Sequence, residues 1–211
     1  MLDLKRLKQA QADFLMQYPG GFDDPAMLAI AKKHNVNKMT VFAQESFSKT
    51  ACSNVHVAAD NMVKVVSRSS MVSLFEKPKF RDFVKGLDEG AKYFMVHALS
   101  EWLHNKSQKK QQAGFEAFVD ILKTEKLAKW SLLTIIPAYY HPSTEVFVKP
   151  TTAKNVLKYF EITDPIYKPQ PTWDFYKKYR LLINEAKTKV NKSLSPSNAA
   201  FSGFLMMTTK T

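Results

Sequence analysis

The sequence predicts an all-α fold, a multi-helix globular bundle of about ten helices with little or no β-sheet. Apolar residues recur at spacings of three and four almost throughout, and alternating apolar-polar runs are nearly absent. Proline repeatedly follows a capping residue at the start of an apolar-periodic stretch, where its missing N–H costs nothing. A chain of 211 residues with 45% apolar content can fill one substantial core.

Leu4, Leu7, Phe14 and Leu15 give a first helix over 3–18, ended by Pro19, Gly20 and Gly21. Asp24 caps a second helix over 25–34, with Pro25 at its first position. Further helices are predicted over 38–50, 55–75, 79–86, 88–105, 112–127, 130–140, 152–160, 172–190 and 196–207. Their starts are marked by Pro78, by Thr151 or Thr152, by Thr172 after Pro171, and by Ser195 with Pro196. Only "EVFVK", residues 145–149, alternates like a strand, and without a partner it is expected to be extended chain. The polar run over 105–112 is the expected boundary between two helical layers of a single domain, 1–211. An aromatic residue precedes a Lys-Pro step in "FEKP", "FVKP" and "YKP", at Phe75, Phe147 and Tyr167. In each, the ring is expected to pack into the core as a staple for the helix that follows.

Formal charge is +12, unevenly spread. Residues 1–60 hold 7 Lys/Arg against 6 Asp/Glu, and residues 149–192 hold 10 against 4. Such a basic third attracts phosphate by counterion release. Lys177, Lys178, Arg180 and Lys187 would form one positive face of a helix, making nucleic acid the leading partner. The longest apolar stretch, "WSLLTIIPAYY", is far short of the ~20 residues that span a bilayer, so no membrane partner is expected. The N-terminal residues read as a helix rather than a signal peptide. Cys52 is the only cysteine, which suits a reducing cytoplasm.

Several constellations could carry chemistry. His141 and Glu145 flank a Pro-Ser-Thr turn, where a His–carboxylate pair could exchange protons while Tyr140 and Lys149 line a pocket. Residues 30–42 have the spacing of a helix-turn-helix, with Asn35 in the left-handed conformation at the corner. His97, Glu101 and His104 share one helix face. A second Glu-x-x-His is missing, so no metal is expected and these residues are placed on the solvated side. Cys52 and His56 lie one turn apart, but the thiol is expected to be buried and inert. No phosphate-binding glycine loop or zinc-ligand motif is present, and no cofactor is expected.

"YPGGFDDP" (18–25), "LFEKPKFRDF" (74–83), "KWSLLTIIPAYYHPSTEVFVKPTTAK" (129–154) and "YKPQPTWDFYKKY" (167–179) resemble, in that order, a family of uncharacterised bacterial proteins. The resemblance implies a single structural unit; it implies no activity, substrate or cofactor. The family does not keep a helix-turn-helix pattern around residues 30–42.

The sequence therefore points to a non-enzymatic, cytoplasmic helical binding protein whose basic C-terminal third meets nucleic acid. The alternative is an enzyme acting on a small anionic substrate around His141, Glu145, Lys149 and Tyr140.

Overall fold

The computed structural model describes residues 2–209, and among these the regular elements are all helical. They run α1 (Leu4–Gln17), α2 (Pro25–His34), α3 (Val36–Ser46), α4 (Lys49–Cys52), α5 (Val55–Arg68), α6 (Glu76–Gly86), α7 (Glu89–His104), α8 (Gln108–Lys123), α9 (Trp130–Tyr140), α10 (Pro150–Tyr159), α11 (Trp173–Lys187) and α12 (Asn198–Thr208). Short 3-10 turns at Gly21–Asp23 and Lys192–Leu194 complete the set. Among the described residues no helix is long and apolar enough to cross a membrane.

Most helices begin on a side-chain cap that takes up an N–H the helix cannot satisfy. Asp3 accepts from Arg6 N, Asp24 from Ala26 N, Ser48 from Ala51 N, Asn54 from Val57 N, Asp88 from Ala91 N, Thr172 from Phe175 N and Ser197 from Ala200 N. The ends are equally local. Asn35 closes α2 in the left-handed region at φ 54°, so α2 and α3 meet at a one-residue corner. Gly21 sits at φ 61° and backs directly onto Ser193, where an added Cβ would stand 2.5 Å from the hydroxyl.

α9 is the centre of the molecule. Its sequence is apolar on every side, and a helix of that kind has to be enclosed. Trp130, Leu132, Leu133, Ile135, Ile136 and Tyr139 are all buried. α3 and α5 pack against α9, while α7 and α8 form an antiparallel hairpin. Gly114 lets the two hairpin backbones touch, since a Cβ there would lie 2.5 Å from Trp102 N. α12 joins α10, α11 and α1, and Phe14 of α1 meets Phe204 of α12 edge-on at 5.4 Å. One hydrophobic cluster runs from Leu2 to Leu205, on both sides of the polar run at 105–112, which makes the turn of the α7–α8 hairpin at 105–107 and the start of α8.

Several boundaries differ from the sequence expectation, α8 among them, which spans Gln108–Lys123 rather than the predicted 112–127, and two of the differences have identifiable reasons. The helix predicted over 55–75 stops at Arg68, because Ser69 turns extended (ψ 126°) and is buried, with its hydroxyl 2.9 Å from Tyr139 Oη of α9. The helix predicted over 38–50 breaks at Phe47, and Ser48 then caps the short α4.

Candidate functional site

Residues 141–149 leave α9 at a turn and run in extended form to α10, buried over Val146, Phe147 and Val148. Pro142 cannot continue a helix, and the turn closes with Thr144 N and Glu145 N both donating to His141 O, at 3.1 and 2.9 Å. A buried extended segment with no strand beside it among the described residues needs other partners for its polar backbone. Side chains from three helices supply them. Thr134 Oγ1 accepts from Val148 N at 3.0 Å. Asn184 Nδ2 donates to Thr144 O at 2.8 Å, Lys187 Nζ to Ser143 O at 2.6 Å and Asn198 Nδ2 to Glu145 O at 3.0 Å. Asn198 N also donates to Pro142 O at 2.8 Å.

Glu145 is the charged centre of this clasp. One carboxylate oxygen accepts from Tyr176 Oη at 2.5 Å, and the other is paired with Arg180 Nη1. The Arg180 guanidinium also lies over the rings of Trp173 and Tyr176, 5.6 and 5.5 Å from their centroids. Burial and the Glu145 carboxylate beside it push the Tyr176 hydroxyl well above its ordinary range, so it stays protonated and donates. An ion pair enclosed in this way, with each partner held by further groups, is suited to fixing geometry rather than to exchanging protons.

The expected acid–base pair is not assembled. His141 Nε2 lies 2.9 Å from Leu103 O, to which it donates, while Glu145 faces α11. Tyr140 stands edge-on to His141 and to His104, at 4.6 and 5.3 Å. Lys149 is exposed, with its ammonium 3.8 Å from Met206 Sδ. His141 and Tyr140 thus stay together beside α7, while Glu145 faces α11 and Lys149 lies by α12, because the turn at Pro142 sends His141 back over α7 before Glu145 is reached.

The expected positive face on α11 is largely consumed as well. Arg180 is turned inward to Glu145. Lys187 binds Ser143 O and Asn198 Oδ1, both at 2.6 Å, and desolvation lowers its pKa. Lys178 pairs with Asp164 and Asp174 at 2.9 and 3.1 Å. Arg180 and Lys178 are thus paired with carboxylates and Lys187 is tied to a carbonyl and an amide oxygen, so that of the four cations only Lys177 has no such partner among the described residues.

Other sequence candidates resolve differently. His104 is not on a solvated face: its Nε2 donates to Phe47 O at 2.8 Å, and burial lowers its pKa. Among the described residues no three metal-ligating side chains come together. Cys52 is buried against Phe47 O at 3.5 Å, and burial raises its thiol pKa, while His56 is 3.7 Å from Glu89 instead. The clasp residues that sequence reasoning missed, Thr134, Tyr176, Asn184 and Asn198, come from α9 before the segment and from α11 and α12, which follow it beyond α10. The one local signal was a buried-type helix carrying a lone Thr134, whose hydroxyl bonds Trp130 O at 2.7 Å as well as Val148 N. Comparison with protein-family models, with curated proteins and with solved structures gave no match.

Proposed function

We propose that the protein is a non-enzymatic, cytoplasmic helical binding protein that takes nucleic acid on an exposed basic surface. The observation that carries this reading is the start of α8. Lys106, Lys109 and Lys110 are exposed there, and no acidic residue stands in the first turn of the helix. Ser107 makes no side-chain cap, and none of the three lysines has a carboxylate within ion-pair reach among the described residues. Cations at a helix N-terminus oppose the helix dipole, a small loss of stability that a docked phosphate would reverse. A binding role, as opposed to a catalytic one, is further supported by the structural use of His141 and Glu145.

The test is fluorescence anisotropy with labelled mixed-sequence DNA and RNA. Binding is expected at low salt, with log K falling linearly against log salt by about 0.9 for each phosphate engaged on duplex DNA. Lys109→Glu/Lys110→Glu is expected to lower affinity at least about tenfold and to flatten that slope. No detectable binding at low salt would end this reading.

A further inference from the structure

The least satisfied part of the surface lies on the opposite half of the chain. α2 is apolar almost all round, yet only Met27 is buried, leaving Leu28 and Ile30 exposed beside Ala26, Ala29 and Ala31. A helix of that composition is normally enclosed. The α5–α6 turn adds Leu74 and Phe75, 77% and 85% exposed, so Phe75 is not the buried staple that its Lys-Pro step suggested. These two side chains are held out by a fixed turn. Ser73 Oγ accepts from Phe75 N at 3.3 Å, and Ser73 O accepts from Glu76 N and Lys77 N at 3.0 and 3.3 Å. His34 at the end of α2 lies 2.8 Å from Ser70 Oγ through its Nδ1, which joins the helix and the turn into one surface.

Cations surround these apolar groups. Lys32 and Lys33 close α2, Lys38 opens α3, and Lys77 and Lys79 lie in the first turns of α6. None of them has a carboxylate within ion-pair reach among the described residues. No Asp or Glu occurs between Pro25 and Gln44, or between Arg68 and Phe75. Of the acids on α6, Glu76 accepts from Ser131 Oγ at 2.6 Å, and Asp82 pairs with Arg81 at 2.8 Å.

We propose that this face, formed by α2, the start of α3 and the α5–α6 turn, docks on the surface of an anionic lipid bilayer. Peripheral attachment needs apolar side chains that enter the headgroup boundary and lysines that meet anionic lipid, and this face presents both together. Other occupants satisfy only half of it. Nucleic acid would neutralise the lysines but leave Leu28, Ile30 and Leu74, which have no ring to stack on bases, in water. A second copy would cover the apolar groups but set like charges against one another. The proposal concerns a surface separate from the α8 lysines and does not depend on nucleic-acid binding there. It also departs from the sequence expectation of no membrane partner without requiring any segment to span the bilayer.

The experiment is co-sedimentation of the whole protein with phosphatidylcholine vesicles and with mixed phosphatidylserine–phosphatidylcholine vesicles. Binding is expected only to the mixed vesicles, and high salt should release it. Leu74→Ser/Phe75→Ser should lower it at least about tenfold with the thermal midpoint unchanged. In a Phe75→Trp variant, the emission of the new indole should shift to the blue on adding mixed vesicles but not neutral ones. Absence of wild-type binding to mixed vesicles at low salt would overturn the proposal, as would binding indifferent to Leu74→Ser/Phe75→Ser. So would finding that this double variant loses self-association or nucleic-acid binding while vesicle binding is unchanged.

Discussion

The clasp around residues 141–149 and the face around α2 are built from similar materials, lysine or arginine beside large apolar side chains, and are finished in opposite ways. In the clasp, Arg180 is held by Glu145, Lys187 caps Ser143 O, and Phe147 is buried. On the α2 face the lysines stand without carboxylates and Phe75 lies open to solvent. Charge and aromatic content alone therefore do not distinguish a structural cluster from an interaction surface. Whether each cation has an internal partner, a carboxylate for Arg180 and a carbonyl and an amide oxygen for Lys187, does.

The largest effect is expected at Glu145. Glu145→Ala leaves the Arg180 guanidinium enclosed without its carboxylate and removes the acceptor of Tyr176, and should cost about 3–5 kcal/mol. Chemical denaturation monitored by circular dichroism measures it directly. A loss under about 1 kcal/mol would mean that the pair behaves as a surface ion pair. Phe147→Ala should also be severe, at about 3–5 kcal/mol, because the ring is only 9% exposed. His141→Ala, at the start of the same segment, forfeits one hydrogen bond to a carbonyl and should cost about 1 kcal/mol. Equal losses at the two positions would show that His141 has a larger structural role than its single bond indicates.

Helix identity was legible in the sequence because caps, prolines and apolar spacing are local. Asp24 with Pro25, and Asn35 in the left-handed region, are both where local chemistry puts them. Phe75 and Phe147 mark where that legibility ends. Both precede a Lys-Pro step and a helix, yet one is exposed and the other buried. The difference lies in what approaches from elsewhere: α9, α11 and α12 close over 141–149, whereas α2 stops short of covering the α5–α6 turn. The candidate site failed for the same reason. His141 and Glu145 are four residues apart, but their partners, Leu103 and Arg180, lie 38 and 35 residues away on either side.

A smaller effect is expected at His104, where pH provides the handle. Burial lowers its folded pKa below the ordinary 6.5, so the unfolded chain binds the proton more readily than the folded one. This contribution to stability is present above about pH 6.5 and is lost as pH falls through that value, until the folded pKa is passed. His104→Gln keeps an N–H donor for Phe47 O without the titration. Thermal midpoints across this range should decline less steeply in His104→Gln than in the wild type, and identical slopes would locate the acid sensitivity elsewhere.

The smallest effect is expected on the α2 face, and its smallness is what gives it value. Leu74 and Phe75 make almost no use of the protein's interior, so Leu74→Ser/Phe75→Ser should change stability by no more than about 0.5 kcal/mol, against several for Phe147→Ala. The backbone that holds the turn is untouched, because Ser73 supplies its hydrogen bonds. Equilibrium denaturation of the double variant beside the wild type decides the matter. A loss above about 1 kcal/mol would mean that these side chains are packed against the protein in solution, and the contrast between a closed clasp and an open face would then fail at its open end.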